Sequence, residues 1–192
     1  VIKNIFKFAK CYTHIDLYRI KIKKEEKRPL TLTLRDQSKL NQYLIKDPNF
    51  IKLGILLSLH TGIRIGELCA LRWEDIDLKE QTIHINKTLQ RIQVSSEEYT
   101  LNKTKVIITS PKSTKSIRDI YIPIFLTVLL SKMKGKAGCY FLTGDNKCME
   151  PRTLNNHFKR YLKQCDIPDY NFHSLRHTFA TNYIESGFDV KS

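Results

Sequence analysis

His60-Thr61-Gly62-Ile63-Arg64-Ile65-Gly66-Glu67-Leu68 and, more than a hundred residues later, His173-Ser174-Leu175-Arg176-His177-Thr178-Phe179-Ala180-Thr181 share one arrangement: an arginine where an apolar helix begins. A helix N-terminus carries roughly half a positive charge, so a guanidinium is unwelcome there unless an anion shares the place. Two such places in one basic chain point to a phosphate held between them.

Outward from the first stretch, Phe50 to Leu59 is apolar with little interruption, which predicts a helix buried nearly all round. Thr61-Gly62 ends that helix, and a second is predicted from about Ile65 to Leu71. Upstream, Thr33-Leu34-Arg35-Asp36 reads as a capped helix start, with Leu40, Tyr43 and Leu44 following at helical spacing. Downstream, Trp73 to Asp77 reads as a turn, and Thr82 to Leu89 alternates with period two, as a half-buried strand does. Lys105 to Thr109 and Ile117 to Ile122 read as two more strands around Ser110-Pro111-Lys112-Ser113-Thr114-Lys115-Ser116, which gives one small antiparallel sheet with a basic hairpin tip. Helices are predicted at about 124–134, 151–165 and 174–186, the last closed by Gly187. The fold class is therefore mainly α with a small antiparallel β-sheet. Residues 1–28 carry the basic run Tyr18-Arg19-Ile20-Lys21-Ile22-Lys23-Lys24 and stop at Arg28-Pro29, reading as an arm or linker ahead of a main domain over 29–192.

The 33 Lys and Arg against 19 Asp and Glu give a formal charge of +14, which favours a polyanionic partner and salt-sensitive association. DNA, RNA and an anionic membrane surface all satisfy charge alone. No segment approaches the roughly 20 consecutive apolar residues of a membrane span, and the first residues lack the pattern of a signal peptide, so the chain reads as cytosolic. Five cysteines are an odd number, and none forms C-x-x-C or stands beside a histidine at zinc-finger spacing. Free thiols in a reducing compartment are expected.

His173 and Arg176 stand three apart on one helical face, where a histidine can exchange a proton with a reacting oxygen while the arginine holds phosphate charge. The plainer alternative, in which His173 caps the helix and Arg176 pairs with an acidic neighbour, meets a stretch with no Asp or Glu between Asp169 and Glu185. Glu67 follows Arg64 by three residues and can orient its guanidinium; a local surface ion pair is the plainer reading of that spacing. Lys112 and Lys115 can reach a phosphate or protonate a leaving oxygen, or can merely contact backbone phosphates or water. His173 and His177 have the i, i+4 spacing of zinc ligands, but the glutamate of H-E-x-x-H is missing and no third ligand is evident, so no metal is expected. A Walker A loop, a G-x-S-x-G elbow and an acidic two-metal set are likewise missing from the sequence.

Taken together, these stretches resemble the tyrosine recombinase (phage-type integrase) family, most closely the integrases of conjugative transposons and prophages. The resemblance covers roughly residues 29 to 192. Thr61-Gly62-Ile63-Arg64-Ile65-Gly66-Glu67-Leu68-Cys69-Ala70-Leu71-Arg72-Trp73-Glu74-Asp75-Ile76-Asp77 looks like the family's first arginine box, and His173 to Thr181 like its second. The resemblance implies recombination or integration of double-stranded DNA, without a cofactor, through a 3′-phosphotyrosyl intermediate. By position, Arg64 and Arg176 would clamp the non-bridging oxygens, His173 would assist proton transfer and Glu67 would support Arg64. A hairpin lysine would protonate the departing 5′ oxygen. Pro111-Lys112-Ser113 followed by Ser116-Ile117-Arg118 favours Lys112, with Lys115 the alternative.

The family's catalytic domains continue past the second box to a Gly-His segment and then the nucleophilic tyrosine. The chain is accordingly expected to be an inactive fragment that binds a phosphate without cleaving it, with no nucleophile of its own and Tyr183 read as core packing. Residues 1–28 would be the remnant of a preceding core-binding domain. Full-length relatives would act as tetramers on DNA in the bacterial cytoplasm, at the nucleoid, while this piece would be monomeric or weakly associating and away from membranes. The rival from another class is a non-catalytic DNA-binding or regulatory protein that kept the recombinase core. A type IB topoisomerase or telomere resolvase shares the chemistry but fits the wording of the boxes less well, and a metal-dependent hydrolase on His173 and His177 comes last.

Overall fold

The computed structural model describes residues 31–93, 104–110 and 117–187. The arm over residues 1–28 and the two candidate lysines, Lys112 and Lys115, lie outside the described residues.

Helix α1 (Leu34–Lys46) begins where Thr33 accepts the Asp36 amide, 3.1 Å away, and donates its hydroxyl to the Asp36 carboxylate at 2.8 Å. Its inward stripe is Leu40 and Leu44, one turn apart and both fully buried. Helix α2 (Phe50–Thr61) is capped by Asn49 and buried on almost every side, as its apolar run predicts. It packs against α1 and against the three helices that follow the sheets, and so forms the centre of the molecule. Leu53, Ile55, Leu56 and Leu57 are fully buried, each worth about 1.5–3 kcal/mol relative to exposure. The helix stops at Gly62, whose φ of 66° lies in the left-handed region that a side chain disfavours.

Helix α3 (Ile65–Ala70) follows after only Ile63 and Arg64, and a 3₁₀ turn (Trp73–Asp75) leads into the sheets. Strand β1 (Ile76–Asp77) pairs with β2 (Thr82–Ile85), which pairs in turn with β5 (Arg118–Tyr121), all antiparallel. Strands β3 (Thr88–Gln93) and β4 (Thr104–Thr109) form a separate two-stranded sheet, with Thr88 opposite Thr109 and Gln93 opposite Thr104. Two expectations are corrected here. The predicted strand over 82–89 is broken at Asn86-Lys87, and the strands at 105–109 and 117–122 do not pair with each other. The break has a physical cause. Ile83 and Ile85 point inward, so unbroken alternation would bury Lys87 as well; instead its ammonium sits 3.7 Å from Asp75 while Leu89 takes the next inward place.

Helices α4 (Ile124–Lys132), α5 (Pro151–Gln164) and α6 (His173–Glu185) lie where the sequence predicts them to within about two residues. Pro151 opens α5 at a position where its missing N–H costs nothing, and Leu154, Phe158, Tyr161 and Leu162 form its buried stripe. Gly187, with φ 84°, follows α6 as expected. Thr178 on α6 is buried. Its hydroxyl accepts the Leu32 amide at 2.9 Å and donates to the Ser174 carbonyl at 2.8 Å. Cys69, Cys139, Cys148 and Cys165 are free thiols.

Candidate active site

Two short elements deliver the two arginines. Arg64 is the cap residue of α3, extended at φ −75° and ψ 148°, so its side chain leaves the helix start instead of lying along it. Its backbone N–H donates to Glu67 Oε2 at 3.0 Å, and its Nη1 donates to Oε1 at 2.8 Å. Glu67 is thereby a reversed capping residue: it satisfies a helix-start amide and orients the guanidinium at once.

The Glu67 carboxylate is only 4% exposed, so a single arginine partner that is itself 50% exposed would leave it poorly compensated. A second guanidinium completes it. Arg118, the first residue of β5, donates Nη1 to Oε1 at 3.0 Å and Nη2 to Oε2 at 2.8 Å, a two-pronged contact. Burial alone would push the Glu67 carboxyl up, but the hydrogen bonds from Arg118 and Arg64 outweigh it and hold the group below its ordinary value.

Arg176, in the first turn of α6, reaches across to donate Nη1 to the carbonyl of Gly62, the residue that ends α2. Close packing brings the helices this near, since a Cβ on Gly62 would lie 2.6 Å from the Phe179 ring. Burial lowers the Arg176 guanidinium from its usual value, and the positive charges of Arg64 and Arg118 lower it further against the opposing pull of Glu67. Among the described residues it has no carboxylate ion-pair partner. Three guanidinium groups and one carboxylate thus share a single place, and the cluster carries surplus positive charge.

His173 stands at the surface one helical turn before Arg176, its ring 4.5 Å from that of His177 and nearly perpendicular to it. Partial burial lowers its pKa, and the charges of His177, Arg176 and Arg64 lower it further. With its pKa held below the ordinary value, the imidazole is mostly neutral at pH 7. No group of three or more metal-ligating side chains occurs among the described residues.

Of the residues singled out by sequence, the structure brings Arg64, Glu67, His173 and Arg176 together, while Lys112 and Lys115 fall outside the described residues. Tyr183 corrects an expectation. It is 42% exposed, with its ring 5.9 Å from Phe179, because five residues past the buried Thr178 it has turned well away from the inward face. Arg118 is the site residue that sequence reasoning passed over. The signal was its alternation: Arg118, Ile120 and Ile122 share one face of the strand, so an arginine on the apolar side required an anion.

The architecture is the tyrosine recombinase catalytic-domain fold. It is similar to the integrase of transposon Tn1549 solved in complex with transposon right end DNA, at a TM-score of 0.67 and 20% identity over 88% of this chain and 57% of that one. The chain belongs to the phage integrase family, whose model matches residues 14–192. It is 29% identical to a tyrosine recombinase XerC-like protein of Caldanaerobacter subterraneus subsp. tengcongensis over 74% of this chain and 40% of the relative. It is 27% identical to the transposase of transposon Tn916 from Enterococcus faecalis, over 84% of this chain and 42% of the relative. The chain thus spans less than half the length of these two relatives.

Proposed function

We propose that the chain is the phosphate-gripping part of a mobile-element, site-specific tyrosine recombinase acting on double-stranded DNA. The observation that carries this reading is the convergence of Arg64 and Arg176, more than a hundred residues apart in sequence, on one place with surplus positive charge.

In this reading the two guanidinium groups bind the non-bridging oxygens of the scissile phosphodiester and stabilise the charge that grows on them as the phosphorus becomes five-coordinate. His173, neutral and beside the same anion, accepts the proton of the attacking hydroxyl. A tyrosine supplied from outside the residues described here attacks the phosphorus; the P–O5′ bond breaks, and the 5′ oxygen takes a proton from Lys112 or, alternatively, Lys115. The resulting 3′-phosphotyrosyl ester keeps the energy of the broken bond, so rejoining needs no cofactor. Residues 29–192 then make up catalytic domain, residues 1–28 the end of a preceding DNA-gripping segment, and the full-length protein works as a homotetramer on DNA.

The test is a comparison of two duplexes of one sequence, one intact and one nicked with a 3′-phosphate at the break. The wild-type chain is expected to prefer the nicked 3′-phosphate duplex, and Arg64→Ala and Arg176→Ala to lose that preference while keeping most of their affinity for the intact one. Equal losses on both duplexes would reduce the arginines to general backbone contacts and sink the reading.

A further inference from the structure

We propose that Arg118 is a positioning residue of this site, which neutralises Glu67 from the sheet side and so leaves the charge of Arg64 available to the scissile phosphate. The inference rests on the phosphate-gripping reading of Arg64 and Arg176 given above.

The geometry carries it. Each oxygen of Glu67 accepts two N–H bonds: Oε1 from Arg64 Nη1 and Arg118 Nη1, and Oε2 from the Arg64 backbone and Arg118 Nη2. Arg64 commits one side-chain N–H to the carboxylate, whereas Arg118 commits both arms of its fork. If Arg118 were absent, the buried carboxylate would face one guanidinium, and two opposite charges would form a locally neutral pair. Arg64 would be drawn to match both oxygens with its own fork, committing to the carboxylate a second donor that does not now serve it. With Arg118 in place, the carboxylate is saturated and the three groups keep a net positive charge.

The fold sets Arg118 for this role. It faces Ile85 across the β2–β5 ladder, on the same side of the strand as Ile120, so the sheet holds it in register while α3 supplies the carboxylate. The two elements that meet at Glu67 are otherwise far apart in sequence, the partners standing 51 positions apart.

The experiment uses the whole chain and the two duplexes already described, intact and nicked with a 3′-phosphate. Arg118→Gln is expected to reduce the preference for the nicked duplex about fivefold or more, with a smaller change on the intact one. Arg118→Lys, which keeps the charge but not the fork, is expected to recover part of that loss. In a Glu67→Gln background, Arg118→Gln is expected to have no further effect on the preference, because the group it acts through is gone. An undiminished preference in folded Arg118→Gln overturns the proposal, and so does an equal loss in both backgrounds, which would mean that Arg118 meets the phosphate itself. If Arg118→Gln does not fold, the Glu67→Gln/Arg118→Gln double variant removes the buried carboxylate together with the guanidinium that compensates it and carries the test alone. A preference matching that of Glu67→Gln upholds the proposal, and a lower one overturns it. Arg64→Ala and Arg176→Ala, measured alongside, separate this failure from that of the underlying reading: if they too keep the preference, the phosphate grip itself is wrong.

Discussion

The two arginines that meet at the site are held in opposite ways. Arg64 is tied to a buried carboxylate that a second arginine also grips, so its position is written into the packing of α3 against the sheet. Arg176 leans on one backbone carbonyl and is pushed by the charges of its neighbours, so its position comes at an electrostatic cost. The difference teaches that one arginine is part of the scaffold, while the other is held against the repulsion of its neighbours, which is what the proposed role in gripping a phosphate requires.

The sharpest way to break that contrast is to remove the shared carboxylate. Glu67→Ala removes the buried carboxylate that both Arg64 and Arg118 grip, and should cost about 3–5 kcal/mol of unfolding free energy by chemical denaturation. Gly62→Ala tests the joint between the two arms. A left-handed backbone and a ring 2.6 Å from the new Cβ should cost about 1–3 kcal/mol in the same measurement. Arg176→Ala should change stability by no more than about 1 kcal/mol, since the lost hydrogen bond is offset by relieved repulsion, even as the preference for a 3′-phosphate disappears. A large destabilisation by this variant would show that Arg176 is scaffold as well.

Acid separates the arms again. His173 has a folded-state pKa below its ordinary 6.5, so the unfolded chain binds protons first and stability falls as pH drops from about 6.5. Glu67 is also depressed, from 4.5, so its contribution is present above that value and is lost only as pH falls further. His173→Asn should therefore flatten the stability profile between pH 7 and the carboxylate range, and Glu67→Gln should flatten it only below; unfolding curves across pH decide the matter. The smallest effect is expected at an exposed pair away from the site. Asp119→Asn, which weakens a 2.7 Å contact with His84 on the outer face of the sheet, should alter stability by under about 1 kcal/mol.

The sequence carried the helices and half of the site. An apolar run such as Phe50 to Leu59 has few ways to satisfy its backbone other than as a buried helix, and i, i+3 spacing places Glu67 by Arg64 and His173 by Arg176 through local geometry alone. Strand partners are a different kind of fact. Alternation marks Thr82–Ile85, Thr104–Thr109 and Arg118–Tyr121 as strands, yet period two is the same whichever neighbour a strand chooses, and the turn at Lys87 redistributed them between two sheets. Arg118 was hidden for a related reason: alternation puts it on the apolar side of its strand, but period two does not say that the anion it meets there is Glu67 on α3. Tyr183 was misjudged by residue type, since an aromatic ring on a helix is core only if its angle around the axis agrees.

The bond from the Leu32 amide to the Thr178 hydroxyl has a mechanical consequence. Thr178 passes that link to the Ser174 carbonyl, inside the first turns of the helix that bears His173 and Arg176. A pull on the chain ahead of Leu32 would bear on α1 through the chain itself and on this helix through the side-chain bond, so that end of the protein is mechanically coupled to the helix that carries one arginine of the proposed phosphate grip.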